Sequence, residues 1–251
     1  MDRRQLIQFI AGSVAASSVV NIGARLGGSG APRSEDKLED GAVVLFQGDS
    51  ITDAQRDKKN LAERPNNAKA LGNGYPFLIA SELLRDYPAK QLKIFNRGIS
   101  GNKVPNLQKR WQKDCIDMKP ALLSILVGVN DIWHKMNGRY DGTVEDYRTG
   151  FTELLELTKK ELPDVKLVVC EPFALRCGAV KDSWYPEFDE RRKAAAEVAA
   201  AAEAIWVPFQ EMFDTAIASG TDPTVWAADG VHPTIAGHAL MTETWRKCVN
   251  L

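Results

Sequence analysis

Short apolar runs separated by longer segments of helical periodicity dominate the chain from Gly41 onward. The runs fall at 43–46, 92–95, 122–127, 167–170 and 205–207, each rich in Val, Ile and Leu and without strict alternation. Such runs suit parallel strands buried on both faces. Between and after them, helical spacing covers about 75–85, 104–118, 144–162, 188–204 and 234–249. The alternation is that of βαβ units, so the expected fold is α/β: a three-layer α/β/α sandwich around a five-stranded parallel sheet. No internal repeat interrupts it. One segment does not fit the rhythm: 53–74 is polar, about twenty residues long, and directly follows the first strand. Connections beyond about 12–15 residues are uncommon unless functional or disordered. This one leaves the carboxyl edge of a parallel strand, where ligands bind, and it is expected to contact substrate.

The first residues follow a different pattern. Arg3-Arg4-Gln5-Leu6-Ile7 leads into an uncharged stretch from Phe9 to Ala24, a charge-then-apolar order that marks an export signal. The paired arginines point to the twin-arginine type, with a Sec signal as the alternative. The expected organisation is an export signal over 1–31, a charged linker over 32–40 and one catalytic domain over 41–251, in a periplasmic or secreted protein. A membrane-anchored or cytoplasmic N-terminal helix is the competing reading. Total charge adds little: 32 basic against 33 acidic residues give a net charge of -1, which supplies no reason to expect nucleic acid as a partner. Among the four cysteines, Cys170 and Cys177 could close a small loop after export, while buried free thiols are the alternative for all of them.

Candidate chemistry gathers at the ends of the expected strands. Gly48-Asp49-Ser50 follows the first run, which places the Ser50 hydroxyl over a crevice. Alone, that tripeptide is as easily a helix cap. Asp229-Gly230-Val231-His232-Pro233 sets a carboxylate three residues before an imidazole, in a loop entering the last helix. A carboxylate in reach of the ring N–H holds one tautomer and stabilises the imidazolium formed when the ring removes a serine proton. After the second and third runs come 95–102, containing Gly98, and Gly128-Val129-Asn130-Asp131. A glycine N–H, an asparagine amide and the N–H of Ser50 together make three donors for a tetrahedral oxyanion.

In order and position, these blocks resemble the SGNH, or GDSL, hydrolase superfamily, from Val43 to the C-terminus. The resemblance implies a flavodoxin-like sandwich, with Ser50 as nucleophile, His232 as general base, Asp229 as its orienting acid, and Ser50, Gly98 and Asn130 as the oxyanion hole. Gly48-Asp49-Ser50-Ile51-Thr52-Asp53, the run 96–102, Gly128-Val129-Asn130-Asp131-Ile132-Trp133 and Trp226 near Asp229 are most similar to the carbohydrate acetylesterase branch, acetyl xylan esterases in particular. The spacing from Trp226 to Asp229 is one residue longer than in that pattern.

The implied function is hydrolysis of short-chain esters, O-acetyl groups on plant or microbial polysaccharides, with an acetylated carbohydrate or other small ester as substrate. Asp49, Trp133, His134 and Trp226 adjoin the blocks and are expected to contact it. No metal or cofactor is expected, since the three histidines have no ligand-like spacing. A lysophospholipase or thioesterase, a carbohydrate-binding protein on a hydrolase scaffold, and either a monomer or a homo-oligomer remain compatible with the sequence.

Overall fold

A computed structural model describes residues 38–251. The export signal expected over 1–31 and most of the linker lie outside the described residues.

Along the chain come β1 (Val43–Gly48), α1 (Ser50–Asp53), α2 (Ala68–Leu71), α3 (Tyr75–Asp86), β2 (Lys93–Asn96), α4 (Val104–Asp114), β3 (Leu122–Leu126), α5 (Val129–Met136), α6 (Val144–Glu161), β4 (Lys166–Cys170), α7 (Glu187–Ala201), β5 (Ile205–Val207), α8 (Phe209–Ala218), α9 (Pro223–Trp226) and α10 (Ile235–Val249). All five strands are parallel and stand in the order β2-β1-β3-β4-β5. This is the flavodoxin-like order, whose direction of winding reverses between β1 and β3; a crevice opens there at the carboxyl ends of the strands. Ser50 begins the helix after β1, and Asn130 lies in the helix after β3.

Alternate strand residues feed two separate cores. Val44, Phe46, Leu122 and Leu126 pack with Tyr75, Ile79 and Leu83 of α3, Phe209 and Phe213 of α8, and Met241 and Trp245 of α10. Leu45, Leu123, Ile125, Leu167 and Val169 face Leu107 and Trp111 of α4, Phe151 and Leu154 of α6, and Ala194 and Ala195 of α7. The strands are therefore apolar on both sides, which explains runs without alternation. The polar exceptions are satisfied: Ser124 accepts the Trp245 indole N–H at 3.0 Å, and Thr158 accepts that of Trp111 at 2.8 Å.

The long polar segment after β1 is tied to the edge of the sheet. Asn66, at φ 58°, lies along the free edge of β2. Its side chain accepts from Ile94 N–H and donates to Leu92 C=O, both at 2.8 Å, and its own N–H donates to Ile94 C=O at 3.0 Å. One residue thus occupies the hydrogen-bonding groups that an edge strand would otherwise present to other chains. Among the helices outside the expected ranges, α5 and α8 follow strands directly, α5 from Gly128 and α8 from Pro208. All four cysteines are free thiols, so no Cys170–Cys177 bridge forms. Among the described residues, no helix is long and apolar enough to cross a membrane.

Candidate active site

Ser50 owes its position to Gly48 and Asp49. At Gly48 (φ +154°) a Cβ would lie 2.3 Å from Leu126 C=O, so only glycine lets the chain turn tightly over β3. Asp49 then caps α1, its Oδ1 accepting from Ile51 N–H at 3.0 Å. This conformation lifts Ser50 into the crevice as the first residue of the helix.

From the far end of the chain, the loop before α10 brings His232 to meet it. Ser50 Oγ and His232 Nε2 are 2.9 Å apart, and His232 Nδ1 lies 2.7 Å from Asp229 Oδ2. The other Asp229 oxygen accepts the N–H groups of Val231 at 2.9 Å and His232 at 2.7 Å. Asp229 therefore shapes the loop with one oxygen and orients the ring with the other. Burial pushes its carboxyl up, but the ring of His232 and the two N–H donors outweigh this and hold it below the usual carboxylate range. The loop is fastened on both sides, by the Ala227–Pro233 bridge and by Leu175 N–H donating to Gly230 C=O at 2.8 Å. With carboxylate, imidazole and hydroxyl in line, proton removal from Ser50 needs no rearrangement.

The oxyanion donors differ in part from expectation. Gly98 does not present its N–H to the crevice, because it donates to Asn96 Oδ1 at 2.8 Å. A Cβ on Gly98 would lie 2.4 Å from Asp53 N, so this glycine serves close packing beneath α1. Gly101, three residues on, makes no such bond. Its N–H has no acceptor among the described residues, its φ is +81°, and its Cα opens toward His134, with nothing else within 4 Å of a Cβ. Asn130 spends one amide hydrogen on Asn102 C=O at 3.2 Å and has a second to offer. Asn96, for which no role was expected, is the organiser of this region. Buried, it accepts from Gly98 and donates to Thr52 C=O at 2.6 Å and Leu71 C=O at 2.8 Å, tying β2 to the nucleophile's helix. Asp53 adds a second tie, accepting from both N–H and Oγ of Ser100 at 2.9 Å.

The four residues expected to touch substrate divide. Asp49 cannot, since its side chain is fully buried; burial pushes its carboxyl up to about 7, against the opposing pull of Ile51 N–H and the charge of His232. Trp133 lies against the His232 imidazole, with ring centroids 5.8 Å apart, and is backed by Trp184 at 5.7 Å. His134 borders Gly101, its Cε1 3.7 Å from where a Cβ there would sit. Trp226 is partly buried at the edge of the core, and its carbonyl accepts Thr234 N–H at 2.8 Å, anchoring the loop that carries His232. His238 turns away from the crevice: its Nδ1 accepts the N–H of Tyr75 at 3.1 Å, capping α3.

Comparison with known proteins identifies the family. The GDSL-like lipase/acylhydrolase family matches residues 46–240. An acetylxylan esterase of Geobacillus stearothermophilus is 31% identical over 215 residues, covering 83% of this chain and 94% of that protein. Among solved structures, a GDSL-like lipase candidate from Parabacteroides merdae superposes with a TM-score of 0.82 at 46% identity, over 86% of this chain and 99% of that one. The Geobacillus acetylxylan esterase Axe2 gives 0.75 at 28% identity, over 86% and 97% of the two chains.

Proposed function

Because this chain belongs to the GDSL-like lipase/acylhydrolase family and is a carboxylic ester hydrolase, we propose that it removes acetyl groups from carbohydrate through a Ser50–His232–Asp229 triad. The observation that carries the reading is the unbroken line from Asp229 Oδ2 through the imidazole to Ser50 Oγ, at 2.7 and 2.9 Å. Ser50 Oγ attacks the ester carbonyl as His232 Nε2 takes its proton. The N–H groups of Ser50 and Gly101 and the Asn130 amide receive the oxyanion. His232 returns the proton to the departing sugar hydroxyl, leaving an acetyl-serine. Water, deprotonated by the same ring, then releases acetate. Asp229 remains ionised throughout and stabilises the imidazolium.

Short acyl groups are favoured by Trp133, which lies against the catalytic ring where a long chain would need a groove. The names of the Geobacillus relatives point the same way. The charge-then-apolar pattern of 1–31 supports export, which N-terminal sequencing of the mature protein tests directly.

The functional test is kcat/KM across p-nitrophenyl esters from acetyl to octanoyl, together with acetate release from acetylated xylo-oligosaccharides. A maximum at acetyl, with acetate released from the glycan, is the expected result. Rates that rise with acyl length would transfer the assignment to lipid or thioester substrates.

A further inference from the structure

Beside Gly101 stands a group of cations without an ion pair among the described residues. Lys103 precedes α4 as its N-cap residue. Its ammonium meets His134 Nδ1 at 3.2 Å and lies 5.1 Å from the centre of the Tyr140 ring. Among the described residues it forms no ion pair. Arg139 is exposed and close enough for its charge to act on His134, and its guanidinium likewise has no ion pair or hydrogen bond among the described residues. Nearby cations are matched: Lys135 with Glu187 at 2.9 Å, Arg191 with Glu187 at 2.6 Å, and Arg110 with Asp114 at 3.2 Å. Two acids lie close in sequence. Asp131, buried, feels the charge of Lys103 without forming an ion pair, and burial pushes its carboxyl toward the neutral form; Asp141 pairs with neither cation.

The hydrogen-bonding polarity of the group is one-sided. Since Lys103 can only donate, the Nδ1 facing it is the acceptor, and the proton of His134 is on Nε2. Burial, Lys103 and Arg139 all push the imidazole toward this neutral form. Lys103 retains further N–H groups, Arg139 is uncommitted, and the His134 ring donates: the cluster offers donors and positive charge and asks for an anion. Its distance from the chemistry is short, because His134 Cε1 stands 3.7 Å from the Cβ position of Gly101, the proposed oxyanion donor, and Trp133 beside it faces His232.

The geometry points to a carboxylate-binding subsite formed by Lys103, His134 and Arg139, which selects acetylated glycans carrying a uronic acid near the acetylated sugar. The inference rests on the acetylated-carbohydrate reading above. Partly exposed pairs of this kind contribute modestly, so the preference expected is on the order of tenfold in kcat/KM, and it is sensitive to salt.

The test compares acetate release from neutral acetylated xylo-oligosaccharides with release from acetylated oligosaccharides bearing a uronic acid, at low and high ionic strength. It uses the wild type, Arg139→Gln and Lys103→Met/Arg139→Gln. The expected result is a preference for the uronate substrate at low salt, reduced by Arg139→Gln and brought toward one by the double substitution or by salt. Because the readout is a ratio, a general loss of activity does not imitate it. Equal rates on both glycans with no salt dependence would overturn the subsite while leaving the esterase reading intact. Failure to cleave either glycan would instead defeat that reading. A preference for p-nitrophenyl hemisuccinate over p-nitrophenyl acetate that the same substitutions abolish would place the anion on the acyl side and overturn the uronate assignment.

Discussion

Replacing Asp229 by Asn separates the two tasks that the structure gives this residue. The Asn Oδ1 can still accept from Val231 and His232 N–H, so the loop keeps the bonds now at 2.9 and 2.7 Å. The other position changes sign: an amide N–H now faces His232 Nδ1, where a carboxylate stood at 2.7 Å. A charge-assisted bond worth about 1.5–3 kcal/mol is lost. More damaging, the ring relieves the clash by moving its proton to Nε2, where it points at Ser50 Oγ and cannot accept the serine proton. Where that tautomer error has been isolated in serine hydrolases the loss is about 10⁴ in kcat, and roughly 10³–10⁴ is expected here, or about 4–5.5 kcal/mol of barrier. The lower end reflects an Asp229 that is partly open to water. Thermal stability should fall by only about 1 kcal/mol, because the loop bonds survive and, once the ring proton has moved, the amide N–H donates to Nδ1 in place of the lost bond. Asp229→Ala should lose a similar factor in rate and a further 1–2 kcal/mol, roughly, in stability, since both N–H groups lose their acceptor. The assay is kcat on p-nitrophenyl acetate beside a thermal melt of each variant. A kcat for Asp229→Asn within tenfold of wild type, with the fold intact, would refute the orienting role.

Three other outcomes follow from the same geometry. Gly98→Ala places a methyl 2.4 Å from Asp53 N and 2.8 Å from Thr52 C, so α1 must shift; melting and kcat should show a loss of about 1–3 kcal/mol in stability and a slower enzyme, and wild-type values in both would contradict the packing role. Asp49 keeps its proton in the fold up to about 7 against an ordinary 3.8, so its contribution to stability is present at low pH and is lost as pH rises between those values. Asp49→Asn, which retains the cap, should therefore gain more in melting temperature at pH 8 than at pH 5. His238 shows the reverse sign: burial lowers its pKa from 6.5 to about 4, so its stabilisation is complete above 6.5 and is lost as pH falls toward 4, by up to about 3 kcal/mol. The difference in stability between wild type and His238→Asn should shrink over that window in urea titrations, and a pH-independent difference would refute it.

The fold was legible because both faces of every strand are covered. Val44 and Phe46 point to one core and Leu45 to the other, and that two-sided burial leaves the uninterrupted apolar runs from which the sheet was read. Positions of Ser50 and Asn130 at strand ends followed from the same runs. What sequence could not resolve was local hydrogen bonding. Gly98 and Gly101 lie three residues apart in one block, and nothing in their spacing says which N–H is free. The choice depends on Asn96 folding back to accept from Gly98, a contact made possible only when β2 lies beside α1. The run Ser100-Gly101-Asn102 held the one available clue, a glycine framed by small polar residues and suited to positive φ. Asp49 looked accessible for the same reason that Ser50 did, yet capping α1 turns its side chain inward. Nor does spacing show that Asn66, within the long segment after β1, completes the edge of β2. Helix α8 was hidden by its short apolar face behind Pro208.

The central claim is that Ser50 carries the acyl group, and covalent trapping tests it most directly. The mature protein is incubated with an alkyl fluorophosphonate, its intact mass is measured, and the modified peptide is sequenced. One phosphonyl group per chain on Ser50, with activity lost in parallel and no labelling of Ser50→Ala, is the predicted result. Labelling at another residue, or ester hydrolysis persisting in Ser50→Ala, would contradict the account.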